Sequence, residues 1–189
     1  PVAEIKVLKN AAAGEFSLFD TSDEISSPSG NTEALVLHTS GTTSRPKVVP
    51  LTQGNIVASA GNISNTLTLS EADHSLNIMP LFHIHGLIAV LCASLYSGSS
   101  ICCTPGFNAL KFFDLATSEK ITWYSGVPTM HQAILLRGQR QVDAAKALRL
   151  RFIRSSSASL PPAVFEELAD LFNCPVIEAY GMTEAAHQM

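Results

Sequence analysis

Charge is what this sequence has least of. Asp, Glu, Lys and Arg make up 15% of its 189 residues, and the formal net charge is −4. Without a basic excess, a generic nucleic-acid binder is not expected, although local groups can still hold a nucleotide. Long apolar runs are also missing. The longest, such as LIAVLCASLY (87–96), fall short of the roughly 20 residues that cross a bilayer, so no membrane span is expected and the protein reads as soluble. No charged-then-apolar secretory leader is visible. Cysteine is sparse. Cys92, Cys102, Cys103 and Cys174 form no C-x-x-C spacing, and free buried thiols in a reducing compartment are the expectation. The chain starts at Pro1 and stops at Met189 inside a polar run, which reads as a piece cut from a longer protein.

Two motif absences narrow the chemistry. There is no G-x-x-x-x-G-K-[ST] loop of the P-loop nucleotide hydrolases. There is no G-x-S-x-G turn and nothing resembling a Ser/His/Asp arrangement either, so a serine hydrolase is an alternative with no motif behind it.

What is present is a globular balance, with 46% hydrophobic residues. Residues 1–30 are mixed and end in TSDEISSPSG, a Ser/Pro/Gly-rich stretch that reads as a flexible loop closing an N-terminal segment of 1–32. EALVLHTS (33–40) is apolar enough for a buried strand, and VVPL (48–51) for a short one. Thr52 is a candidate N-cap for a helix weakened by Gly54 and Gly61. Strands are expected at 75–80, 99–105, 121–126, 151–155 and 174–181. Between them lie a buried helix from Gly86 to about Tyr96, a helix over 108–119, and helices opened by Pro128 and by Pro161–Pro162. This alternation predicts an α/β fold, a mostly parallel sheet flanked by helices, filling 33–189 as part of one domain. Such sheets bind ligands beyond the carboxyl ends of their strands.

Polar clusters fall at those ends. The first is HTSGTTSRPK (38–47), where Thr39, Ser40, Gly41, Thr42 and Thr43 can turn hydroxyls and backbone N–H groups toward one anion with Lys47 as a point charge. A Ser/Thr-rich surface loop is the alternative. MPLFHIHGL (79–87) alternates His83 and His85; on an extended segment both would point the same way. An H-x-H pair can ligate zinc, but nothing nearby completes a set, so loop histidines or a pocket wall are the other readings. RSSSASLPP (154–162) is either a polar pocket wall or the loop before a helix. EAYGMTEAAHQM (178–189) offers the Tyr180 ring, the Thr183 hydroxyl and the Glu184 carboxylate, which either faces solvent or holds Mg²⁺ beside phosphates.

TSGTTSRPK, MPLFHIHG, RSSSASL and EAYGMTE, in this order across 34–189, resemble the adenylate-forming superfamily of acyl-CoA synthetases, luciferases and peptide-synthetase adenylation domains. Within it, the same stretches are most similar to the oxalate–CoA ligase group of plants and fungi, where serine at the position of Ser44 is typical. The resemblance implies a large α/β domain joined to a small mobile one. It also implies a reaction in which a carboxylic acid and ATP give acyl-AMP and pyrophosphate, followed by transfer to coenzyme A. It assigns Thr39–Thr43 and Lys47 to the β,γ-phosphates, Thr183 to the α-phosphate and Glu184 to Mg²⁺. Ala158, Glu178, Ala179 and Tyr180 would frame the adenine. His83, Ser155, Ser157 and His187 would line the acid pocket, with Arg154 behind. That polar lining leans to a small dicarboxylate such as oxalate, with a 4-coumarate-type or medium-chain acid as the alternative. The resemblance also implies a peroxisomal or cytoplasmic location. The superfamily's ribose-binding aspartate and catalytic lysine fall beyond Met189, so the chain alone would be a nucleotide-binding piece without efficient turnover.

Overall fold

The computed structural model describes residues 29–39 and 46–189, together with the backbone of two short paired strands, β1 (Ile5–Val7) and β2 (Phe16–Leu18). Ser40, Gly41, Thr42 and Thr43 of the hydroxyl loop, and most of the N-terminal stretch, lie outside the described residues.

Five parallel strands form the centre: β5 (His74–Asn77), β6 (Ser100–Cys103), β7 (Trp123–Gly126), β8 (Phe152–Ser156) and β9 (Val176–Ala179), in the order β6-β5-β7-β8-β9. Numbers descend from β6 to β5 and then ascend, so the winding reverses between β5 and β7. At such a reversal the crossovers leave on opposite faces and open a crevice at the strands' carboxyl ends.

Each face has its own core, because successive residues of a strand point to opposite sides. Leu76, Tyr124, Ile153 and Val176 pack on the first face against helices α3 (Phe112–Ser118), α4 (Pro128–Gly138), α5 (Val142–Ala147) and α6 (Pro162–Phe172). Trp123 and Phe152 stack on the second face at a ring separation of 5.2 Å. They are covered by α1 (Gln53–Thr66) and by one continuous helix over 84–96, whose last turn is α2 (Ala93–Tyr96).

That second helix runs as a π-helix from His85 to Cys92. A Cβ on Gly86 would fall 2.5 Å from the Pro80 carbonyl oxygen, so only glycine lets the helix start this close to the preceding turn. Thr52 caps α1 as expected. Its Oγ accepts from the Asn55 N–H at 3.2 Å while Asn55 Oδ1 accepts from the Thr52 N–H at 3.0 Å. Gly61, expected to weaken α1, instead lets the Tyr96 ring approach to 3.0 Å of where a Cβ would stand.

One strand differs from expectation. β3 (Glu33–Thr39) is half-exposed rather than buried, because among the described residues it pairs only with β4 (Lys47–Thr52), antiparallel, and lies outside the central sheet. Leu35, Leu37, Val49 and Leu51 face the second core, and Val36 and Val48 face outward.

Candidate active site

The carboxyl ends of β8 and β9 open into a groove of about 560 Å³ lined by Ser157, Ala158, Ser159, Glu178, Ala179, Tyr180 and Gly181. All four residues assigned to the adenine wall are therefore in one place. The groove holds its shape through two bonds across its floor. Ser156 Oγ donates to the Ala179 carbonyl at 2.8 Å, and the Leu160 N–H donates to Glu178 Oε1 at 2.9 Å. Tyr180 leaves 73% of its surface open, as a stacking platform requires.

After the groove the chain doubles back as β10 (Gly181–Met182) and β11 (His187–Gln188), joined by a 3₁₀ turn over Thr183–Ala185. A Cβ on Gly181 would lie 1.4 Å from the His187 carbonyl oxygen, so no other residue fits there. Ala186 and His187 take φ of 53° and 106°, sparsely populated values for residues with a Cβ. Ser59 Oγ of α1 donates to the Ala186 carbonyl at 2.7 Å and pins this turn to the helix. Glu184 is exposed and shares a groove of about 280 Å³ with Pro50, Leu51 and Asn55. Thr39 and Lys47 stand opposite each other at the loop end of the β3–β4 hairpin, where the hydroxyl loop begins and ends.

Beneath these loops, on the second face, lies a buried polar cluster. β7 and β8 pair Ser125 with Arg154. The Arg154 side chain is wholly buried. Its Nη1 reaches His85 Nε2 at 3.4 Å and Ser125 Oγ at 3.3 Å, and its Nη2 reaches His187 Nδ1 at 3.4 Å and Gln188 Oε1 at 3.1 Å. His85 Nε2 also meets Ser125 Oγ at 2.7 Å, and its Nδ1 meets Ser157 Oγ at 3.0 Å. Burial, then the charge of Arg154, pushes His85 down to about 2 and His187 down to about 3. Burial alone takes Arg154 down to about 10. At neutral pH the cluster is a charged guanidinium among neutral partners.

The residues assigned to the acid pocket separate on this geometry. His187 and Ser157 belong to the cluster. His83 is exposed and its Nδ1 accepts from the His85 N–H at 3.2 Å, so His85 is the buried histidine. The segment is not extended: the helix starts at Ile84 and turns the two side chains apart. Ser155 alternates onto the first face, buried, with no partner for its Oγ among the described residues. Ser125 and Gln188 were not singled out in the sequence. The strand-end position of Ser125 was the only signal for it, and Gln188 needed the unforeseen β10–β11 pairing.

This five-stranded parallel sheet flanked by helices, with a groove at its carboxyl edge, is an α/β fold shared with solved adenylate-forming CoA synthetases. The chain belongs to the AMP-binding enzyme family, whose profile matches residues 2–189. It is 48% identical to an oxalate–CoA ligase of Arabidopsis thaliana over 82% of this chain and 30% of that protein. It is 47% identical to the oxalate–CoA ligase of Saccharomyces cerevisiae over 82% of this chain and 28% of that one. Among solved structures it is similar to the o-succinylbenzoate coenzyme A synthetase of Bacillus subtilis in complex with AMP, with a TM-score of 0.73 at 31% identity over 84% of this chain and 32% of that chain. ATP-bound MatB of Rhodopseudomonas palustris gives a TM-score of 0.74 at 27% identity over 83% of this chain and 30% of that one. The chain thus spans about 30% of the length of the relatives it matches.

Proposed function

We propose that this chain is the nucleotide- and acid-binding part of an ATP-dependent acid–CoA ligase, and that its acid is oxalate. The observation that supports the acid assignment is Arg154. A guanidinium buried without a carboxylate partner is costly, and an anionic ligand offsets that cost. Oxalate keeps a second carboxylate after the first is activated. An aryl or alkyl acid would bring hydrocarbon to a cluster made of a guanidinium, imidazoles and hydroxyls.

ATP would place its adenine in the Ser157–Gly181 groove beside Tyr180, and its phosphates toward Thr183, Lys47 and the hydroxyl loop. The acid's carboxylate would attack the α-phosphate, releasing pyrophosphate and leaving acyl-AMP for coenzyme A to take up. This step brings anion to anion, so fixed donors and cations do most of the catalytic work. Glu184 fits Mg²⁺: its carboxylate is exposed, and Mg²⁺ commonly takes one or two carboxylates and completes its shell with phosphate oxygens and water. Bound there, the ion would offset charge on the transferred phosphoryl group. Thr183, in the same turn, would donate to the α-phosphate.

The test is ATP–pyrophosphate exchange by the whole natural protein with oxalate, malonate, acetate, octanoate and 4-coumarate. Exchange driven by oxalate and reduced at least ~100-fold by Glu184→Gln is expected, the size of losing one transition-state stabiliser. Exchange driven by 4-coumarate or octanoate instead would keep a ligase and sink the oxalate assignment. Absence of exchange with every acid would support a nucleotide-binding protein without turnover.

A further inference from the structure

The guanidinium of Arg154 meets four groups, His85, Ser125, His187 and Gln188, all of them neutral. No carboxylate among the described residues pairs with it, and its Nε has no partner there. A guanidinium donates and cannot accept, so each ring nitrogen it approaches must present a lone pair. Those nitrogens are His85 Nε2 and His187 Nδ1, and the proton of each neutral ring then sits on the other nitrogen. On His85 that is Nδ1, which donates to Ser157 Oγ at 3.0 Å and leaves the Ser157 hydroxyl proton free for another acceptor. On His187 it is Nε2, which has no hydrogen-bond partner among the described residues.

We propose that Arg154 is a positioning residue that fixes the tautomers of His85 and His187, so that the Ser157 O–H and the His187 Nε2–H are both offered as donors to the anionic end of the acid. The recognition part of this rests on the proposed ligase reading; the tautomer part does not. Ser125 completes the arrangement. Its hydroxyl faces either His85 Nε2 at 2.7 Å or the Arg154 carbonyl at 3.2 Å, and the lone pair on Nε2 selects the shorter bond. The groups bearing on His85 are Arg154, His187, His83 and His131, and those bearing on His187 are Arg154 and His83. None of them is an acid that would draw a second proton onto either ring. A neutral ring in one tautomer donates in one fixed direction, whereas a protonated ring would donate from both nitrogens and repel the guanidinium.

Long-range ¹⁵N NMR of histidine-labelled whole protein at pH 7 reads the tautomers directly. Unprotonated His85 Nε2 and His187 Nδ1 are expected, unchanged between pH 5 and 8, and Arg154→Met should make one or both rings change tautomer or titrate in that range. A protonated His85 Nε2 or His187 Nδ1 in the wild type, or the same tautomers in Arg154→Met, would overturn the proposal. Gln188→Glu supplies a second readout because it gives Arg154 an internal carboxylate. The KM for oxalate should rise tenfold or more, with the KM for ATP within twofold. An unchanged oxalate KM would refute the recognition role. Failure of oxalate as a substrate, with the tautomers as assigned, would count against the oxalate reading and uphold the tautomer assignment.

Discussion

The two faces of the central sheet are built from the same strands and do different work. On the first face Leu76, Tyr124, Ile153 and Val176 meet four helices in an apolar core. On the second face the apolar core under α1 gives way, at the strands' carboxyl ends, to Ser125, Arg154, His85 and His187. A one-residue step along β8, from Ile153 to Arg154, changes face and changes role. Folding energy comes from the first kind of burial. The second kind costs energy that neutral partners offset only in part, and under the proposed reading an anionic acid offsets the rest.

The sharpest way to test that contrast is to truncate one residue on each face. Leu168→Ala, in the apolar core, should lose about 2–5 kcal/mol in urea denaturation. The KM for the acid should hardly move. Arg154→Met should do the reverse: the KM for the acid should rise at least tenfold, with stability within about 1 kcal/mol of wild type, because an apolar chain replaces a charge without a counter-ion. A loss of several kcal/mol on Arg154→Met would make the arginine a structural element and dissolve the contrast.

Acid should sharpen it further. His85 and His187 are held near 2 and 3, far below an ordinary histidine, so between pH 6.5 and those values the unfolded chain binds protons that the native chain does not. Stability therefore falls as pH drops below about 6.5, by up to about 1.4 kcal/mol per pH unit for each ring. His131, on the first face, is pushed by burial to about 4 and adds to the same loss. His187→Gln should flatten the slope by one ring's share in melts between pH 6.5 and 4. Asp73 works in a lower window. Burial tends to raise its pKa, but Arg151, the Ser70 N–H and the Thr122 hydroxyl together hold it below the ordinary value. Its contribution is present above the unfolded value and is lost only below about pH 3.8.

The central sheet was legible because its strands are short apolar runs bounded by Pro, Gly and Ser, and because Pro128 and Pro162 stand at helix starts. That Ala158, Glu178, Ala179 and Tyr180 lie in one groove was legible because they fall at or just beyond the ends of two neighbouring strands, β8 and β9. Four things were not. Whether His83 or His85 turns inward depended on whether 79–87 is extended or helical. The close approach of Gly86 to Pro80 settles that in space, and spacing alone does not show it. The separation of Ser155 from Arg154 follows from strand alternation, but only once β8 is known to be covered on both faces. The β10–β11 hairpin rests on positive φ at Ala186 and His187, residue types that carry no signal for it. The burial expected of β3 depended on which strand would pair beside it, a long-range fact.

Acetate offers the most direct measurement, because it presents the reacting carboxylate of oxalate without the second charge. The ratio of kcat/KM for oxalate over acetate, in CoA-thioester formation by the whole natural protein, isolates what the buried cluster contributes. A preference for oxalate of at least ~100-fold, about 2.7 kcal/mol of transition-state discrimination, is expected. Equal use of the two acids, or a preference for acetate, would contradict it.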